Sequence, residues 1–252
     1  MESKLTQLKT ILAEITDLTN AASLLGWDQQ VNMPPAGAQA RGYQLGTLRR
    51  LAHTRWISDE LGYLLEDLEP QVAQLPPDSD DARLVKVAIR QRQKRLNVPP
   101  EWVVDFAQAT AVAHHVWQEA RASKDFARFR PNLERIVDLR RQYAAYFAPY
   151  DHAYDPLLDD YEPGLRTCEV QEIFDALRPR QVELIQAISS RPQVDQAFLY
   201  QTFDPQKQWD FGVEVITQFG YDWKRGRQDK SAHPFTSGSS INDIRITTRV
   251  LP

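Results

Sequence analysis

Cysteine is almost absent from this chain: Cys168 is the only one among 252 residues, so no internal disulfide can form. It follows Thr167 at the start of an expected helix. Helix N-termini can lower a thiol pKa, but no histidine lies near it in sequence and an inert thiol is expected. Glycine is scarce too, 10 residues against 16 prolines, which suits long helices joined by proline-marked turns better than a β-sandwich. No stretch approaches the roughly 20 apolar residues that a membrane-spanning helix needs. The first eighteen residues carry apolar side chains at helical spacing, not in the continuous block of a signal peptide, so a cytoplasmic protein without a membrane partner is expected. Nor is there an excess of positive charge. With a net charge of −4, nucleic acid is not an expected partner. The length suffices for one large or two small domains, and no internal repeat, low-complexity tract or clear linker divides it.

Common catalytic motifs are missing as well. The five histidines, His53, His114, His115, His152 and His233, include no His-Glu-x-x-His and no pair at the helical spacing that metal ligands favour. There is no Gly-x-Ser-x-Gly elbow, phosphate loop or cysteine pair. Adjacent His114 and His115 point about 100° apart on a helix and are read as one half-buried and one exposed residue. The densest polar cluster, Asp151-His152 to Asp155 followed by Asp159-Asp160, matches no metal-ligand ladder. It is read as turn and helix-start capping.

What the sequence does contain is helical periodicity. Leu5, Leu8, Ile11, Leu12, Ile15, Leu18 and Ala22 define an amphipathic helix, expected to end at Gly26 with a turn through Pro34-Pro35. Leu45, Leu48 and Leu51 mark a second helix, and Ser58 caps a third through Leu61, Leu64, Leu65 and Leu68. The acidic end of the loop at 76–81 starts a fourth, with Leu84, Val85, Ala88 and Ile89 inward. Pro99-Pro100 restarts a helix at Glu101, and Pro131 is read as opening another. A long helix runs from Thr167 past Pro179. Asp204-Pro205 caps one that stops at Gly220.

The pattern then changes period. Ile244, Ile246, Thr248 and Val250 alternate with Arg245, Thr247 and Arg249, which is the strongest strand signal in the chain. Before it come His233-Pro234-Phe235 and a Ser/Gly-rich segment, 237–240, read as a turn. Taken on chemistry alone, this segment is either a peptide-binding edge that works by strand addition or a surface hairpin with a salt bridge.

The order His233-Pro234-Phe235, then Asp243, Arg245 and Thr247, resembles two signatures of the carboxypeptidase Taq metallocarboxypeptidases. Leu25-Gly26-Trp27-Asp28 with Met33-Pro34-Pro35 is similar to that family's N-terminal signature. So are Trp117 with Ala120-Arg121, Tyr154-Asp155-Pro156-Leu157-Leu158-Asp159, and Gly226-Arg227 with Asp229. The resemblance implies a mainly α fold, an elongated helical assembly with a small β-hairpin or sheet near the C-terminus, forming the N-terminal half of a zincin-type cleft peptidase. Residues 1–252 would then be one helical portion, with about 221–252 leading into the active-site edge strand.

The implied activity is removal of C-terminal residues from peptides, with zinc or cobalt, in a family that is typically homodimeric. The family's metal-binding helix would follow the strand, beyond Pro252. The chain is therefore expected to bind no metal, to be inactive alone, and to dimerise or pair with the missing C-terminal half through exposed apolar surface. His233, Phe235 and Arg245 are the implied substrate-binding residues, Arg245 either pairing with Asp243 or orienting groups of the cleft. Pro234, Asp243 and Thr247 fit equally a purely structural motif, since Pro sets φ while Asp and Thr bond local backbone. The alternative function is a non-catalytic helical peptide-binding or partner-subunit protein derived from the same family.

Overall fold

The computed structural model describes residues 1–251. It is mainly helical, with a three-stranded sheet near the C-terminus. The chain divides into two compact units.

The first unit comprises residues 1–139 and 220–249. Its helices are α1 (Glu2–Val31), α2 (Ala38–Trp56), α3 (Asp59–Val72), α4 (Asp80–Leu96), α5 (Pro100–Ser123) and most of α6 (Phe126–Ala145). The predicted apolar stripes become the core. Leu5, Leu8, Ile11 and Ile15 of α1 pack with Leu61, Leu64, Leu65 and Leu68 of α3 and with Val85 and Ala88 of α4. Each fully buried leucine contributes about 1.5–3 kcal/mol. Ser58 caps α3 by accepting a hydrogen bond from Leu61 N–H at 3.4 Å. A smaller cluster, Ala22, Leu45, Ala107 and Ala111, joins α1, α2 and α5. There α2 approaches α5 through Gly42 and Gly46, one turn apart; a Cβ on Gly46 would sit 3.3 Å from Val104 Cγ1.

Two helix starts and stops differ from the sequence expectation. Helix α1 does not end at Gly26 but continues to Val31. A mid-helix glycine costs about 1 kcal/mol relative to alanine, and burial of the next residue, Trp27, outweighs it. Helix α6 starts at Phe126, not at Pro131. Lys124, in the left-handed region at φ 55°, breaks the chain after α5, and Asp125 accepts from Arg128 N–H at 3.2 Å. That cap precedes Pro131, which lies in the exposed early part of the helix.

The second unit spans residues 140–219 with Val250 and Leu251. It contains α7 (Asp155–Leu158), α8 (Thr167–Ser189) and α9 (Pro205–Gln218). The acidic cluster caps local backbone. Asp155 accepts from Thr167 N–H and from His152 N–H at 2.8 and 3.0 Å, and Asp159 from Gly164 N–H at 2.8 Å. Thr167 holds the Asp155 carboxyl below its usual range. Cys168 is exposed in the first turn of α8. Asp204 caps α9, and Gly220 follows it at φ +89°. Among the described residues no helix is long and apolar enough to cross a membrane.

His53 is buried on α2 and its Nε2–H donates to the Val98 carbonyl at 2.9 Å. Burial, reinforced by Arg95, holds its pKa below the usual value. The unfolded chain therefore takes up a proton below about pH 6.5 that the folded chain resists. Stability is expected to fall as pH drops through that value. His53→Gln, which keeps a donor for Val98, should show a smaller drop in urea midpoint between pH 7.5 and 5.5; an unchanged drop refutes the assignment.

Candidate functional site: an arch clamped over the last strand

The sheet is built from β1 (Gly226–Lys230), β2 (Thr236–Ser240) and β3 (Asp243–Thr248), in the order β1-β3-β2. Strand β1 runs parallel to β3, and β2 antiparallel to it. The Ser/Gly segment 237–240, expected as a turn, is thus strand β2; alternate residues Ser237 and Ser239 are half-buried, giving it the period of a strand in spite of its composition. Because β3 lies between β1 and β2, residues 231–235 cross over the end of β3 to reach β2. That crossover is the arch that carries His233-Pro234-Phe235.

Thr247 holds the arch. It is 6% exposed, and its hydroxyl accepts from Phe235 N–H at 2.8 Å while its own N–H donates to the Phe235 carbonyl at 2.8 Å. The Ser231 hydroxyl lies 2.8 Å from Thr247 Oγ1 and 2.8 Å from the His233 carbonyl. From α5, Arg121 donates to the Ala232 carbonyl at 2.8 Å, its guanidinium 5.2 Å from the centre of the Trp117 ring. His233 and Pro234 are left exposed and Phe235 half-buried.

Arg245 has a different setting. Its guanidinium forms a two-point ion pair with Asp243, 2.8 and 3.0 Å, and lies 4.2 Å from the centre of the Trp27 ring. Arg245 holds the Asp243 carboxyl below its ordinary range. Its register partner Arg227 repeats the pattern: it pairs with Asp229 at 2.7 and 2.6 Å and lies 4.8 Å from the same ring. Trp27 is 5% exposed. Helix α1 also meets β2, where Asn20 donates to the Ser239 carbonyl at 2.6 Å. The Tyr221 hydroxyl lies 3.0 and 2.8 Å from the carbonyls of Arg227 and Ile244 and shares its one proton between them. Only glycine fits at 226, since a Cβ there would lie 2.3 Å from that ring.

The structure therefore brings all six sequence-named residues onto β3 and the arch above it. Sequence reasoning named no role for Trp27, Arg121, Tyr221 or Ser231. The two-residue spacing shared by Arg227/Asp229 and Asp243/Arg245 is a signal that one strand face carries both pairs.

Replacing Thr247 by valine keeps the shape but leaves Phe235 N–H without its acceptor, at about 1–3 kcal/mol. The expected result is a loss of that size in urea denaturation together with faster hydrogen exchange at Phe235. Unchanged exchange at Phe235 would show that the hydroxyl does not hold the arch.

The profile of the carboxypeptidase Taq (M32) metallopeptidases matches residues 7–252. Thermostable carboxypeptidase 1 of Pyrococcus furiosus is 34% identical over 248 residues, covering 96% of this chain and 49% of its own length. Thermostable carboxypeptidase 1 of Thermus thermophilus is 33% identical over 246 residues, covering 94% and 48%. The crystal structure of the M32 carboxypeptidase from Deinococcus radiodurans R1 superposes with a TM-score of 0.80 at 34% identity, covering 99% of this chain and 50% of the other. The chain spans about half the length of the curated relatives it matches. A metallopeptidase family implies a metal cofactor, yet among the described residues no three His, Cys, Asp or Glu side chains stand together to hold an ion. The carboxylates of the sheet strands, Asp229 and Asp243, are both engaged by arginines, so these residues do not fit a catalytic metal. Matched from residue 7 to its last residue and sharing the fold throughout, the chain belongs to the carboxypeptidase Taq (M32) metallopeptidase family.

Proposed function

We propose that this chain supplies the helical cover and one substrate-facing edge of a metallocarboxypeptidase that removes C-terminal residues from peptides. The observation that carries the reading is the arch: a His-Pro-Phe turn fixed to β3 from below, with the imidazole left exposed. Strand β2 is an edge of the sheet, and an extended peptide can add to such an edge through its main chain. His233 then donates a hydrogen bond to a substrate carbonyl, with Phe235 beside the same edge. Arg245, held by Asp243 and Trp27, positions β3 and does not touch the substrate. Zinc, or cobalt in its place, is the proposed ion of the whole enzyme, and its ligands and the general base come from residues outside this sequence.

The second unit supports pairing with that remaining half. Helix α8 exposes Ile173, Phe174, Leu177, Leu184, Ile185 and Ile188, a contiguous apolar set whose burial is worth roughly 1.5–3 kcal/mol per side chain. The relatives are about twice as long as this chain, and the occupant proposed for this face is the other half of the same enzyme, in preference to a second copy.

With a blocked dipeptide and added zinc or cobalt, the purified 252-residue chain should show no turnover. Mixing it with a polypeptide carrying the second half of a relative should restore activity, and His233→Ala in the mixture should raise KM or lower kcat at least tenfold. Turnover by this chain alone would overturn the proposal. Peptide binding that mixing never converts to turnover would favour a non-catalytic binding protein.

A further inference from the structure

A cavity of about 290 Å³ opens in the first unit where α1, α2, α4 and α5 meet. Its polar lining is Thr19, Ser23, Arg49, His53 and Arg95, with Trp56 as an aromatic wall and no carboxylate. This is unusual in a chain whose net charge is −4. Glu101, the one carboxylate that acts on His53, is not part of the lining.

Arg49 is what distinguishes this cavity. Several arginines of the unit have carboxylate partners, Arg41 with Asp28, Arg55 with Glu14 and Arg83 with Asp78. Arg49 makes no hydrogen bond or ion pair with any described residue. Arg49 is an exposed residue on the cavity lining, and desolvation of its guanidinium lowers its pKa from the usual value. Arg95 is fixed beside it, donating to the Gln91 carbonyl at 2.8 Å and lying 4.7 Å from the centre of the Trp56 ring. With Arg49 unpaired and Arg95 on the same lining, an oxyanion offers charge-assisted, two-point hydrogen bonds to the guanidinium fork.

We propose that Arg49 and Arg95 form a binding site for a small oxyanion, a phosphate or a carboxylate. The cavity lies just below the roughly 300–1,000 Å³ of pockets that hold drug-sized ligands, so it suits a small anion better than a peptide. The site does not depend on the peptidase reading, because it uses none of the arch residues and its readout is binding.

The test is calorimetric titration of the full chain with inorganic phosphate and, separately, acetate, at ionic strength matched with chloride. The expected result is saturable binding of one of the two, weakened at least tenfold in Arg49→Gln and severalfold in Arg49→Lys, which keeps charge but loses the fork. Arg50→Gln, on the same helix but outside the cavity lining, should bind as the unaltered chain does. Preference for phosphate or for acetate assigns the source of the oxyanion. Binding of neither, or equal binding by Arg49→Gln, overturns the site. If Arg49→Gln does not fold, the Arg49→Lys and Arg50→Gln pair still decides, since equal affinities would refute it.

Discussion

One indole holds the sheet to the helices. Trp27 receives the guanidinium groups of Arg227 and Arg245, which the parallel register places opposite each other on β1 and β3. Two neighbouring cations would repel, but each carries its own carboxylate two residues away. What meets the ring is therefore a pair of neutralised forks. A cation over an aromatic face is worth about 0.5–2 kcal/mol, and the burial of the indole adds to it. For this contact to exist, α1 must run past Gly26 to carry Trp27 onto the sheet. Arg41 secures that extension from α2 by binding Asp28 at 2.6 Å and by donating to the Leu25 carbonyl.

The arch follows from the sheet order. Placing β1 beside β3 obliges the chain to pass over the end of β3, and the residues that pass are His233-Pro234-Phe235. Thr247 sits under the crossing and satisfies the backbone of Phe235 on both sides. A threonine hydroxyl suits this place because it accepts and donates at once. The turn's shape is thus set by hydrogen bonds from below, which leaves its upper surface free for recognition.

Much of the fold could be read in advance because helices bury a periodic stripe. Leu5 to Ile15, Leu61 to Leu68 and Val85 with Ala88 all entered the core as their spacing implied. The errors came where a local preference yielded to a tertiary contact or to an earlier cap. Gly26 argued for a stop that the burial of Trp27 overrode, and Asp125 started α6 before Pro131. Ser237 to Ser240 has turn composition, yet pairing with β3 made it a strand. The site residues stood out because short motifs fall together, but their roles depend on neighbours distant in sequence. Trp27 is some two hundred positions from the arginines it meets. No local pattern announces that contact, just as nothing in the run around Arg49 shows that no carboxylate faces it.

The ion pairs of the first unit differ in what shields them. Lys4–Asp67 and Lys9–Asp81 tie α1 to its neighbours with largely solvated partners. In the sheet each pair has one shielded partner, Arg245 at 17% of its side chain in solvent against 36% for Asp243, and Asp229 at 14% against 52% for Arg227. Dissolved salt screens exposed charges beyond a Debye length that is about 8 Å at physiological strength and about 3 Å at 1 M, and it screens partly buried charges much less. In concentrated brine the rim contacts of α1 would fade first, while its grip on the sheet through the indole would persist. The chain thus has a salt-sensitive edge and a more salt-resistant anchor on the same helix.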